Sequence, residues 1–176
     1  MIKFLTTLVL ALVSHVLLAQ TVFDKFDGPE DITTITVNKK MFEMMSKVKS
    51  NTTDKETQQY LNLVKKLENL KVFVTSNTKM AADMKATAEK YIKSPGLEEL
   101  MRVNDGGKSV KIHIRSSANG TKIKELFMFI EGGPKDKETI ILLLTGDFDL
   151  NEISLLTDKM SLPGGEDLKK ASKGKK

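Results

Sequence analysis

The chain has 176 residues, of which 40% are apolar and 29% charged, with neither cysteine nor tryptophan. Those proportions are those of a folded soluble protein, far from collagenous, disordered or membrane-embedded chains, and the missing cysteine excludes disulfides, thiolate metal sites and thiol nucleophiles. The formal charge of +5 is unevenly spread: Lys169, Lys170, Lys173, Lys175 and Lys176 carry five cations with no acid among them, while residues 20–168 hold 22 cations against 23 anions. The body is therefore about neutral and lacks the cationic docking face of a nucleic-acid binder.

Met1 to Lys3 is a short positive start, Phe4 to Leu18 a mostly apolar run, and Ala19-Gln20 a small-residue cleavage point. This is the signal-peptide pattern. Residues 1–19 are thus expected to be removed, 20–168 to form a single domain, and 169–176 to be a basic, flexible, solvated tail. No later apolar run is long enough to span a membrane as a helix. The expected location is outside the cytoplasm: periplasmic, outer-membrane-associated or secreted.

Residues 32–37 are β-branched throughout and predict a first strand leading into Asn38, a helix cap. Met41, Met44, Met45 and Val48 then recur at helical spacing and predict a core-facing stripe. Thr53 with Glu56 matches a capping box for a second helix carrying Tyr60, Val64 and Leu67, followed by a strand over 71–75. Asn77 caps a third helix with Met80, Met84, Ala88 and Tyr91 on one face, ended by Pro95-Gly96.

A short helical turn is expected through Leu97, Leu100 and Met101. Beyond the turn Asp105-Gly106-Gly107, Val110, Ile112 and Ile114 alternate with Lys111, His113 and Arg115, the pattern of a strand with one wet face. Asn119-Gly120 predicts a hairpin to a strand over 122–131. Residues 139–145 follow as a strand apolar on both faces, hence central, with the first strand as its expected other neighbour. Asp149 and Glu152 cap a last helix with Ile153, Leu156 and Met160, and Pro163-Gly164-Gly165 releases the tail.

The predicted fold is α+β: one domain with a mixed five-stranded sheet, its last three strands an antiparallel meander, and helices packed mainly on one face.

Chemistry-bearing patterns are sparse. His113 is the one histidine beyond the leader, placed between two cations with no carboxylate in its strand to orient it, and alternation alone accounts for it as a surface residue. Asp147, Asp149, Asn151 and Asp158 imitate the opening and end of a calcium loop, but the sixth position is Glu152 where the turn needs glycine, and capping explains Asp149 better. No catalytic, cofactor or metal residues are expected. The wet face of Lys111, His113 and Arg115 is the candidate partner-binding face.

The strings Val37-Asn-Lys-Lys-Met-Phe, Leu70-Lys-Val-Phe-Val-Thr, Ala82-Asp-Met-Lys-Ala-Thr, Leu97-Glu-Glu-Leu-Met-Arg and Leu144-Thr-Gly-Asp-Phe-Asp-Leu together resemble a family of small exported Bacteroidetes proteins, domain-of-unknown-function family forty-two fifty-two. The resemblance implies a single envelope or secreted domain without assigned activity. The resemblance also implies a lipid anchor in some relatives, for which this chain lacks the cysteine.

The expected function is a non-catalytic cell-envelope protein that binds another macromolecule, an envelope protein or polymer. The alternatives are a carboxylate-based hydrolase of envelope polymers and weak membrane binding through the lysine tail.

Overall fold

The computed structural model describes residues 22–47, 54–134, 136–153, 155 and 163–173. Six strands form one sheet: β1 (Thr33–Asn38), β2 (Leu67–Thr75), β3 (Glu98–Asp105), β4 (Lys108–Ser116), β5 (Ile123–Glu131) and β6 (Thr139–Phe148). Their order is β1-β2-β6-β5-β4-β3, and every neighbouring pair is antiparallel. The architecture is α+β, with a sixth strand and an all-antiparallel sheet in place of the mixed five-stranded one.

β6 is central, as its unbroken apolar run requires. Ile140, Leu142 and Leu144 enter one core, and Ile141 and Leu143 enter the other on the opposite face. Its neighbours are β5 and β2, not the first strand, which lies outside β2 at the sheet edge. The extra strand is β3. Leu97, Leu100 and Met101 have helical spacing, yet Gly106 and Gly107 both have positive φ (56° and 90°) and close a two-residue loop between the paired Asp105 and Lys108. That turn geometry matches strand twist and folds residues 98–105 back along β4.

Four helices are described: α1 (Lys39–Ser46), α2 (Lys55–Val64), α3 (Thr78–Tyr91) and α4 (Gly165–Lys173). Asn38 caps α1 through Met41 N at 3.0 Å, and Asn77 caps α3 through Lys79 N and Met80 N at 2.9 and 3.1 Å. The cap of α2 is Asp54, whose carboxylate accepts from Thr57 N at 3.0 Å; Thr53 lies outside the described residues. Residues of α1, α2 and α4 pack on the face of Leu142, while α3 with Phe23 and Phe26 packs on the face of Ile141. Phe23 stacks on Phe127 at 5.6 Å between centroids and meets Tyr91 edge-on at 5.0 Å.

Two expectations about the helices change. In α1 the buried residue is Phe42, with Met45 partly buried beside it, while Met41 and Met44 face solvent. The larger apolar ring takes the core and turns the methionine stripe outward; Val48 lies outside the described residues. At the C-terminus, Pro163-Gly164-Gly165 starts α4 instead of ending the fold. Leu168 and Asp167 are buried, and Asp167 pairs with Lys108 at 3.0 Å. Lys169, Lys170 and Lys173 therefore belong to a helix rather than to a frayed tail. Gly164, with φ 76°, sits so close to the sheet that a Cβ there would lie 2.5 Å from Met128 Cε.

Candidate functional site

Register places the three polar residues of β4 opposite particular partners on β5: Lys111 faces Phe129, His113 faces Phe127, and Arg115 faces Glu125. Phe127 and Phe129 belong to the core under α3. The face read as wet is consequently roofed by the end of α3 and the turn after it. His113 is only 4% exposed, which corrects its reading as a surface residue.

The strongest polar cluster lies at the end of this face. Glu125, 0% exposed, receives Arg115 Nε at 3.2 Å on one oxygen and the Tyr91 hydroxyl on the other. Arg115 Nη1 also donates to the Pro95 carbonyl. Gly96, at φ 76°, makes this approach possible, because a Cβ there would come within 2.9 Å of the guanidinium. Burial first, and then the neighbouring Glu125 charge, push the Tyr91 hydroxyl well above its ordinary pKa, so it stays a donor. The cluster joins α3, the turn at 94–97, β4 and β5, and its groups are spent on each other.

His113 Nε2 lies 3.9 Å from Glu99 Oε2 on β3, and Nδ1 has no hydrogen-bond partner. Burial lowers the imidazole pKa from its ordinary 6.5; Glu99 opposes this, and Arg102 and Lys111 reinforce it. The sign follows directly: as pH falls below about 6.5 the unfolded chain takes up the proton first, so stability is unaffected well above that pH and declines toward the lower folded-state pKa. A His113→Gln chain is expected to lose this acid slope, checked by urea midpoints at about pH 7.5 and about pH 5.5. His113→Ala is expected to cost about 1–3 kcal/mol, because it empties buried space.

Lys111 reaches Glu89 of α3 at 4.0 Å. The three β4 residues thus lie along one face, but each turns to a different acid: Glu89, Glu99 and Glu125. Asp147, Asp149 and Glu152 likewise go to separate lysines, Lys124 at 3.1 Å, Lys122 at 2.5 Å and Lys66 at 2.7 Å. Glu152 Oε2 accepts from Asp149 N at 2.9 Å, the carboxylate half of a capping box. Asp158, Leu156 and Met160 lie outside the described residues.

Two of the clefts among the described residues carry paired charges. One of about 340 Å³ lies between the start of α3 and the β5–β6 turn, lined among others by Thr78, Lys85, Glu131, Gly132 and Lys137. There Lys85 donates to Glu131 at 2.7 Å, a contact that raises the lysine pKa. The other, of about 320 Å³, lies beside the β4–β5 hairpin and includes Thr121, Lys122, Asp149 and Asn151. Its hydrogen bond to Asp149 raises the pKa of Lys122.

The exposed apolar residues are arranged differently. Ile35 on β1 is 37% exposed, Met41 and Met44 on α1 are 50% and 59% exposed, and Val22 and, on β3 at the other edge, Val103 are 38% and 36% exposed. Ile35 pairs with Val72, a residue of the core that Phe42 and Met45 of α1 join, so Ile35 and the helix that carries Met41 and Met44 lie on the same side of the sheet. Sequence reasoning placed Met41 and Met44 in the core and missed this patch. It also missed Glu125, because the register next to the turn, Ser116 opposite Ile123, would set Arg115 across from Lys124, and only the irregularity between Arg115 and Ser116 brings Glu125 there.

No helix among the described residues is long and apolar enough to cross a membrane. Neither a curated protein nor a solved structure matches the chain. A family model, Domain of unknown function (DUF4252), matches residues 26–156. That span runs from Phe26 through all six strands, and the chain belongs to this family.

Proposed function

We propose that the protein is a non-catalytic, exported envelope protein that binds another macromolecule, and that its docking surface is the β1–α1 edge. The observation that carries this reading is the gathering of Ile35, Met41 and Met44, exposed, on one side of one sheet edge. Large apolar side chains exposed on one side of a sheet are candidates for an interaction site. The β4 face supports it less well, because Lys111, His113 and Arg115 already have internal partners. Export rests on the pattern of residues 1–20.

The test is site-specific photocrosslinking in exporting cells, with the photoreactive residue at Met44 or at Lys111. A discrete adduct at position 44 that disappears on Ile35→Lys is the expected result. Adducts at position 111 alone, or at neither position, would overturn the assignment of the edge.

A further inference from the structure

Asn119 is the only asparagine of the chain that is followed by glycine. It is exposed at the tip of the β4–β5 hairpin, and Gly120, with φ 69°, has nothing within 4 Å of the place a Cβ would take. The turn is closed by its backbone: Ser117 N donates to the Lys122 carbonyl and Gly120 N to the Ser117 carbonyl, both at 2.8 Å. Three further donors converge on the Asn119 side chain. Ser117 Oγ donates to Oδ1 at 2.7 Å, Thr121 Oγ1 at 2.9 Å and Thr121 N at 3.2 Å. A backbone N–H can only donate, so it is the oxygen of this amide, not the nitrogen, that faces them. Nδ2 has no hydrogen-bond partner among the described residues.

A neutral amide oxygen offers two lone pairs. A third donor is therefore surplus to the ground state, but it suits an oxygen that is gaining negative charge. The bond from Thr121 N also closes a ring that contains both Asn119 Cγ and the Gly120 nitrogen, which folds the side chain back along the backbone. Glycine leaves that nitrogen without a side chain to shield it.

We propose that these groups make Asn119 a site of self-catalysed deamidation, with Ser117 and Thr121 stabilising the charge that forms on Oδ1. Gly120 N releases its bond to Ser117, loses its proton to hydroxide and attacks Asn119 Cγ. The electron pair of the Cγ–Oδ1 double bond moves onto Oδ1, under the three donors. As it returns, the Cγ–Nδ2 bond breaks, and the nitrogen takes a proton from water and leaves as ammonia from the unpartnered side of the amide. The five-membered imide that remains is opened by water. Cleavage at Cγ leaves aspartate; cleavage at the main-chain carbonyl leaves isoaspartate, with one extra methylene in the turn. Water enters, ammonia departs and nothing is oxidised or reduced. Either product places a carboxylate at the wall of the cleft that holds Gly120, Thr121, Lys122 and Asp149, beside a lysine that already serves one acid.

The test follows intact mass and proteolytic peptides of the full chain during incubation at neutral and mildly basic pH, beside a synthetic peptide of residues 115–124. A gain of about one dalton at position 119, with isoaspartate in the product, is expected. Because a proton must leave Gly120 N first, the rate is expected to rise with pH. The folded chain is expected to convert at least about threefold faster than the peptide, since only the fold gathers the three donors. Thr121→Val keeps the backbone donor, removes one hydroxyl and is expected to slow the folded chain about threefold; Ser117→Ala removes the other hydroxyl and serves as a second variant if Thr121→Val alters the thermal melt. A folded chain that converts no faster than the peptide overturns the proposal, because the turn then protects the asparagine. Loss of a hydroxyl donor without any slowing overturns it as well.

Discussion

Replacing Leu142 with aspartate is expected to abolish the cooperative unfolding transition. Leu142 is 0% exposed and lies between Val72 on β2 and Met128 on β5, at the middle of the central strand. The loss of a buried leucine removes about 1.5–3 kcal/mol. A carboxylate in the same place costs several more, whether it stays charged or takes up a proton. Together these approach or exceed the roughly 5–15 kcal/mol that holds an ordinary domain folded. Leu142→Met keeps the volume and is expected to cost less than about 1.5 kcal/mol. Circular dichroism melts of the two variants make the comparison, and a cooperative melt of Leu142→Asp near that of the parent would refute the core assignment.

Truncating Arg115 is the second large effect. Arg115→Ala leaves the fully buried Glu125 carboxylate with the Tyr91 hydroxyl alone, and stranding one member of a buried ion pair typically costs about 3–5 kcal/mol. The pair itself need not stabilise by that amount, since removing both charges avoids the stranded one. Arg115→Met combined with Glu125→Gln keeps an acceptor for Tyr91 and is expected to recover most of the loss. Denaturant unfolding of the single and double variants measures the coupling directly. Equal losses in both would show that packing of the arginine stem, rather than charge, holds the end of α3.

This cluster also explains why the β4 face is a poor docking surface. Its cations hold α3 and the 94–97 turn to the sheet, so a charge reversal such as Arg115→Glu would disturb stability before it disturbed any partner. The exposed residues at β1 and α1 have no such burden. Substituting them tests binding without touching the core.

Much of the fold was legible from local pattern. The β-branched run at 32–37, the caps Asn38 and Asn77, the Asn119-Gly120 hairpin and the doubly buried strand at 139–145 all act over a few residues. Turn chemistry and hydrophobic period determine such features wherever the segment ends up in space. The family membership was legible as well, from strings spread over the same elements.

What sequence pattern left open depended on distant segments. Alternation showed that Lys111, His113 and Arg115 share a face; whether that face was wet depended on α3, the 94–97 turn and Phe23 covering the sheet beside it. Helical spacing put Met41 and Met44 on one stripe, but Phe42 competed for the same core and won by size. The spacing of Leu97, Leu100 and Met101 suited a helix, until the edge of β4 offered backbone partners that the Gly106-Gly107 turn brought within reach. Local chemistry sets what each segment is able to form, because its interactions span a turn or a pair. Which face is covered and which strand forms the edge is decided only when segments far apart in the chain compete for the same buried surface.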